Sequence, residues 1–125
     1  MIKFNDAIYT LLVANTGLTA IIDTKVYPVI LPEDVKNPAV VIDRSSEAQY
    51  SKDGTYGYIN TVNVAVISDN YNESISIAEK IDGILNFYNG TVSGINIIES
   101  KQMSVDESYN EEGYIQKLVY EMKNY

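Results

Sequence analysis

The sequence predicts a single α+β domain with a mainly antiparallel β-sheet and two amphipathic helices packed on one face of it. Two segments carry apolar residues at helical spacing, and the extended segments come in pairs around turn residues, as antiparallel hairpins do. The length of 125 residues and the hydrophobic fraction of 46% suit one domain with one core. We therefore assign residues 1–125 to one domain.

The first predicted helix spans residues 2–14, where apolar side chains such as Phe4 and Ile8 recur at helical spacing. The Asn-Thr-Gly triplet that follows ends it, with Gly17 suited to the left-handed C′ position. Residues 18–23 then predict one or two further helical turns. A helical N-terminal part thus precedes the sheet.

All the prolines of the chain lie in one connection, between Lys25 and Asp43: they are Pro28, Pro32 and Pro38. The residue before a proline is pushed away from the helical region, so the chain around Pro28 should be extended. Pro38 stands at the start of a predicted strand, where its missing N–H costs little. We expect the prolines to stiffen the crossing from the helical part into the sheet.

The next two extended segments predict a long antiparallel hairpin. Residues 38–49 begin with the apolar run Ala39–Ile42, which is typical of a central strand. Residues 58–68 alternate apolar with polar side chains, and Asp53-Gly54 between the two segments is a turn signal. Three tyrosines lie at or near the polar tip: Tyr50, Tyr56 and Tyr58.

The second amphipathic helix is the clearest element of the sequence. Asn70 is a suitable N-cap, with Glu73 three residues later, and Asn89-Gly90 closes the segment. Its apolar side chains form one stripe around Ile81, which should face the sheet.

Two more strands, residues 92–105 and 114–123, are expected to pair with each other. The segment between them, residues 106–113, predicts an acidic loop. It contains four carboxylates: Asp106, Glu107, Glu111 and Glu112. Their spacing matches no EF-hand loop, so a solvated loop is the main interpretation, with weak cation binding and partner contact as alternatives.

Composition excludes most catalytic chemistry. The chain has no histidine and no cysteine, which removes the commonest general base, the commonest metal ligand and the thiol nucleophile. It carries no glycine-rich phosphate loop, and its serines have no histidine to activate them. We therefore predict a protein that is not an enzyme, with no catalytic, metal or cofactor-binding residues, and that acts by contact.

Charge and aromatic content indicate what kind of contact. Seventeen acidic against nine basic residues give a net charge of -8, which should repel nucleic acid and anionic membranes. Eleven tyrosines against two phenylalanines suit large contact surfaces, although a genome rich in Asn, Ile, Lys and Tyr explains the bias equally. The tip tyrosines are candidates for partner contact. A base-stacking platform disagrees with the charge, and plain hairpin packing is the other interpretation.

The whole layout resembles the small tail completion, or tail terminator, proteins of long-tailed bacteriophages and prophages. The resemblance covers nearly all of the chain and depends on several short motifs in the right order. They are Lys25-Val26-Tyr27-Pro28 after the helical turns, Pro38 before the apolar strand, Ile77-Ala78-Glu79-Lys80-Ile81 in the helix, and the closing Leu118-Val119-Tyr120-Glu121-Met122.

This resemblance implies a ring, commonly a hexamer, at the head-proximal end of the tail tube. Such a ring ends tube growth, joins the tail to the neck or connector proteins of the head, and contacts the major tail tube protein. DNA passes through its lumen without specific binding, which an acidic lining that includes the residue 106–113 segment would favour. The protein would be made in the host bacterial cytoplasm and located in the virion, at the tail–head junction, with no membrane partner.

Two other functions remain open from the sequence. One is a different neck component, such as a head-closure or adaptor protein. The other is a small-molecule-binding α+β domain of ferredoxin-like type, which would need a ligand-sized pocket.

Overall fold

The computed structural model describes residues 1–125, apart from the side chain of Thr55. Over this range the chain forms three helices and six strands. In chain order they are α1 (Phe4–Val13), α2 (Thr16–Ile22), β1 (Val26–Pro28), β2 (Ala39–Ser51), β3 (Gly54–Ser68), α3 (Tyr71–Leu85), β4 (Gly90–Val92), β5 (Ile95–Asn110) and β6 (Gly113–Asn124). None of the helices described combines the length and the apolar composition that crossing a bilayer requires.

The strands form one sheet in the order β1-β2-β3-β6-β5-β4. All neighbours pair antiparallel except β1 and β2, which run parallel through Val26–Pro28. The α+β class is therefore confirmed, and the sheet is mixed. The parallel pair arises because the proline-containing connection carries the chain from the end of β1 back to the level where β1 began.

The core lies between the helices and one face of the sheet. Alternate residues of β3, namely Val62, Val64 and Val66, are fully buried in the same hydrophobic cluster as the apolar faces of the helices. Because side chains alternate across a strand, these residues share one face, which we call the helix-covered face. Three helices rather than two contribute to this cluster, since α2 adds Leu18 and Ile22.

Helix α3 begins as the sequence predicts and ends earlier. The Asn70 Oδ1 accepts a hydrogen bond from the Glu73 N–H at 3.0 Å, which is an N-cap bond. The helix stops at Leu85, and Phe87 adopts a positive φ of 61°. The Phe87 N–H donates to the Ser100 carbonyl at 2.9 Å, so a contact with β5 takes the place of the last helical turn.

The predicted role of Gly17 is wrong. Helix α1 ends at Val13 without a left-handed residue, and Gly17 lies inside α2. Asn15 is the N-cap of α2, because its Oδ1 accepts from the Leu18 N–H at 2.9 Å. The turn residues thus start a second helix instead of only closing the first.

The predicted acidic loop is also wrong for two of its four carboxylates. Strand β5 continues through Asp106 and Glu107 to Asn110, and only Glu111 and Glu112 form the turn. The partner strand β6 supplies cross-strand neighbours for β5 as far as Asn110. Asp106 lies opposite Lys117, which pairs unlike charges. Local polarity suggested a loop, and pairing with β6 overrides it.

Candidate functional site

The hairpin of β2 and β3 extends past the rest of the sheet. Strand β6 begins to pair with β3 only at Tyr58, which lies opposite Asn124, so residues 49–57 are paired only with one another. We call residues 49–57 the arm. Tyr50 and Tyr56 on the arm are 73% and 53% exposed, whereas Tyr58 is half-buried at its base. Two of the three predicted tyrosines are thus free for contact.

A buried polar group supports the base of the arm. Asn60 is fully buried, and its Nδ2 donates to the Met122 carbonyl at 3.0 Å and to the Asn124 Oδ1 at 2.8 Å. The Ser46 hydroxyl donates to the Asn60 Oδ1 at 2.6 Å. These bonds tie β2, β3 and β6 together where the arm leaves the sheet, so the arm starts from a rigid base.

The structure divides the four predicted carboxylates among three environments. Glu107 lies on the helix-covered face, where its Oε2 accepts from the Gln116 Nε2 at 3.1 Å and from the Tyr71 hydroxyl at 2.8 Å. These hydrogen bonds, that of Gln116 first, hold the pKa of Glu107 below its ordinary value. Asp106 lies on the opposite face, and Glu111 and Glu112 lie in the turn.

Carboxylates do not gather into an ion-binding site in the part of the chain that the structure describes: no group of three or more could hold a metal there. The contact between the ionisable side chains of Tyr120 and Asp82 is structural. The Tyr120 hydroxyl donates to Asp82 Oδ1 at 2.7 Å, and burial raises the pKa of Tyr120 far above its ordinary range. Tyr120 therefore stays neutral and joins β6 to α3.

A tyrosine cluster that the sequence analysis missed lies beside Glu107. The rings of Tyr109 and Tyr114 are 4.8 Å apart, and those of Tyr71 and Tyr114 are 5.6 Å apart in an edge-to-face arrangement. Tyr109 lies directly opposite Tyr114 in the β5–β6 register. That pairing could have been predicted had residues 106–110 been recognised as strand.

A second missed surface lies on the face of the sheet opposite the helices. Val29 has a φ of 67°, which is rare for a β-branched residue, and Val29 and Ile30 are 71% and 73% exposed. They border an open depression of about 440 Å³. Its other walls are Leu31, Glu33, Val41, Ala65, Ile67, Glu112 and Ile115. An exposed apolar rim held in a strained conformation is a candidate contact surface.

The arm and the depression lie at opposite ends of the sheet. The arm leaves the end where β6 finishes at Asn124, and the depression lies at the end where β3 finishes at Ser68. The arrangement therefore places two separate candidate contact surfaces along the strand direction. It offers contact area rather than reactive groups.

Comparisons with known proteins identify the fold. No protein-family model matches the sequence, and no curated protein matches it. A chain in the structure "Virion of native gene transfer agent (GTA) particle" aligns with a TM-score of 0.81 and 18% identity over 95% of this chain and 92% of that one. A second solved chain aligns with a TM-score of 0.60 and 11% identity over 97% and 92%. At these identities the likeness is one of fold.

Proposed function

We propose that this protein is a structural virion protein that caps the head-proximal end of a long phage tail tube as a ring. In this role it ends tube growth and joins the tail to the head. The observation that carries the proposal is the match along 95% of the chain, at a TM-score of 0.81, to a chain of a gene transfer agent virion. The order of motifs that resembles tail completion proteins supports the same role.

The arm and the depression lie at opposite ends of the sheet, and this position suits a cap that must hold a partner on each side. One of them, the arm or the depression, contacts the major tail tube protein, and the other contacts the neck or connector proteins. The copies of this chain associate as a hexameric ring. Contact area from exposed tyrosines and from the Val29–Ile30 rim supplies the affinity.

The lumen of the ring passes DNA without binding it specifically. With -8 per chain, six copies would carry 48 negative charges, and this repels the phosphate backbone. Asp106, Glu111 and Glu112 are the proposed lumen carboxylates, since their side chains are exposed and, unlike that of Glu107, are not hydrogen-bonded on the helix-covered face. The protein is made in the host bacterial cytoplasm and remains in the virion at the tail–head junction.

Electron microscopy of particles assembled without this protein tests the proposal. Loss of a terminator should give overlong tails and heads without tails, and purified protein should restore tube length when added during assembly. Tails of normal length beside full heads would instead identify a head-closure or adaptor protein. Normal joined particles would contradict both roles.

A further inference from the structure

We infer that neighbouring copies of this chain join edge to edge, with the outer edge of β5 on one copy pairing antiparallel with the outer edge of β2 on the next. The inference rests on the proposed ring, and it specifies which backbone segments close that ring. It depends on the open edges, their positions along the sheet and their charges.

The outer edge of β5 is open over half of its length. Strand β4 pairs only with residues 95–97, and the Asn86 side chain accepts from the Gln102 N–H at 2.9 Å. Among the described residues, no strand lies beside residues 103–110, and every side chain in that stretch is exposed. Unpaired backbone N–H and C=O groups along such an edge are a template for another strand.

The outer edge of β2 is open over a matching length at the other side of the sheet. Strand β1 covers Val40–Ile42, and residues 44–51 have β3 on one side and no described strand on the other. Eight residues are thus open on each edge. Strands β2 and β5 also run in opposite directions, since each step from β2 through β3 and β6 to β5 is antiparallel. A neighbour in the same orientation therefore presents its β2 antiparallel to β5.

The open segments are staggered, and the stagger suits ring closure. Arg44, Val62, Tyr120 and Gln102 form one row across the sheet. The open part of β5 lies on one side of this row and the open part of β2 on the other. Pairing them therefore displaces each copy along the strands, and closed barrels require such a displacement because their strands tilt.

The charges select a register. Arg44 and Glu107 both lie on the helix-covered face, and Glu107 is four rows beyond the Arg44 row, opposite Gln116. Placing the Arg44 of one copy opposite the Glu107 of the next joins unlike charges, sets Glu47 opposite Ser104 and pairs residues 44–48 with residues 103–107. Tyr109 and Asn110 then lie at the level of Ile42 and Val41, where β1 already occupies the edge, so they stay unpaired. A shift of two further residues would instead set Glu47 against Asp106, which are like charges.

The displacement in this register is compatible with a closed ring. The register displaces each copy by four residues, which is about 13 Å along the strands. Each copy contributes the four strands β2, β3, β6 and β5, which together span about 19 Å across the strands. The resulting tilt is about 35°, within the range of closed barrels. Pairing of two β5 edges with each other is disfavoured, because each edge carries Asp106 and Glu107. The proposed contact joins two different edges and is therefore heterologous, as a ring requires.

Disulfide trapping tests the pairing without interference, because the chain has no cysteine. The variant with Glu47→Cys and Ser104→Cys should give a ladder of covalent oligomers on non-reducing gels after mild oxidation with tail tubes present. Within one copy these positions are separated by β3 and β6, roughly 14 Å or more, beyond the ~7 Å Cα separation of a disulfide. Each single-cysteine variant should give no ladder. The pair Glu47→Cys with Asp106→Cys reports the shifted register and should cross-link at least tenfold less.

Charge reversal supplies a second measurement. Arg44→Glu should abolish assembly while leaving the monomer folded by circular dichroism, and adding Glu107→Arg to it should restore assembly. Rings that appear by electron microscopy without a ladder in either register would overturn the edge pairing and leave the proposed ring standing. A ladder from a protein that never caps tubes would support the pairing and contradict the terminator role. Failure of the double reversal to restore assembly would count against the Arg44–Glu107 register.

Discussion

Gly113 shows how a single residue sets the β5–β6 turn. Its φ is 127°, and a Cβ built there would lie 2.6 Å from the Ser68 carbonyl oxygen and 3.3 Å from the Asn37 Nδ2. The same Asn37 Nδ2 donates to the Glu112 carbonyl at 2.6 Å and to Asp69 at 2.9 Å. The turn, the end of β3 and the proline-containing connection therefore meet at a position that has no room for a side chain.

We predict that Gly113→Ala lowers the free energy of unfolding by about 2–3 kcal/mol, because it adds a backbone clash to left-handed strain. Gly94→Ala is the matched control, since its φ is 75° but nothing lies within 4 Å of the added Cβ. That variant should lose only about 1 kcal/mol. Urea titrations of both variants give the comparison, and equal losses would contradict the clash.

Ile81 tests whether the stripe of α3 faces the core. It is fully buried, while Lys80 beside it is exposed. Ile81→Ala should lower the free energy of unfolding by about 2–5 kcal/mol through lost burial and the cavity left behind. Lys80→Ala should change it by less than about 0.5 kcal/mol. A thermal melt of Ile81→Ala within a degree or two of the parent would place the stripe outside the core.

Among the elements, the β2–β3 hairpin most clearly has one part that stabilises the fold and another part, the arm, that is available for contact. Its lower part is tied to β6 through the buried Asn60. Within the arm, Gly57 packs against the Asn124 backbone, whereas residues 50–56 lie beyond the end of β6. The fold should therefore tolerate loss of the arm, since few buried contacts leave with it.

We expect replacement of residues 50–56 by a two-residue Asn-Gly turn, which keeps Gln49 opposite Gly57, to leave the free energy of unfolding within about 1 kcal/mol of the parent. Joining to the tube or neck should fall sharply, because Tyr50 and Tyr56 are removed. Phage titre from cells that supply the shortened chain measures this. A control with Tyr50→Phe and Tyr56→Phe keeps the aromatic area, and an unchanged titre for the shortened chain would exclude the arm from contact.

At the scale of the whole molecule, net charge opposes assembly. Each chain carries -8, so subunits repel one another until salt screens them within about 8–10 Å. We predict a monomer in dilute solution at low salt and a ring, a hexamer in its closed form, at high concentration or on tube ends. Light scattering from 20 to 500 mM salt, with negative-stain images of tube ends, follows the transition. A strict monomer that never binds tubes would contradict the ring.

The same charge predicts weak binding of DNA. Affinity for duplex DNA at physiological salt should be weaker than the ~10⁻⁴–10⁻⁶ M of ordinary non-specific binders, because one arginine and eight lysines face seventeen carboxylates. Gel shifts with a long duplex measure it. Replacing Asp106, Glu111 and Glu112 by their amides should strengthen binding if these residues line the lumen. Micromolar binding by the unmodified chain would contradict passive passage.

Local sequence was sufficient for elements whose signals are local. The α3 stripe, its cap at Asn70, the β2–β3 hairpin and the antiparallel pairing of the last two strands follow from periodicity and turn chemistry, and each is present. The α+β class follows from them as well. Of the three tyrosines predicted at the tip, Tyr50 and Tyr56 are exposed and Tyr58 is half-buried, and their role in partner contact stays a prediction.

Tertiary structure decided whatever depends on a distant partner. Residues 106–110 are polar enough for a loop and become strand because β6 lies beside them, and α3 stops at Leu85 because Phe87 bonds to Ser100. The tyrosine cluster, the Val29–Ile30 rim and the two open edges consist of residues far apart in the chain. Their meeting depends on strand order and register, which loop closure and core packing set together and which no local pattern encodes.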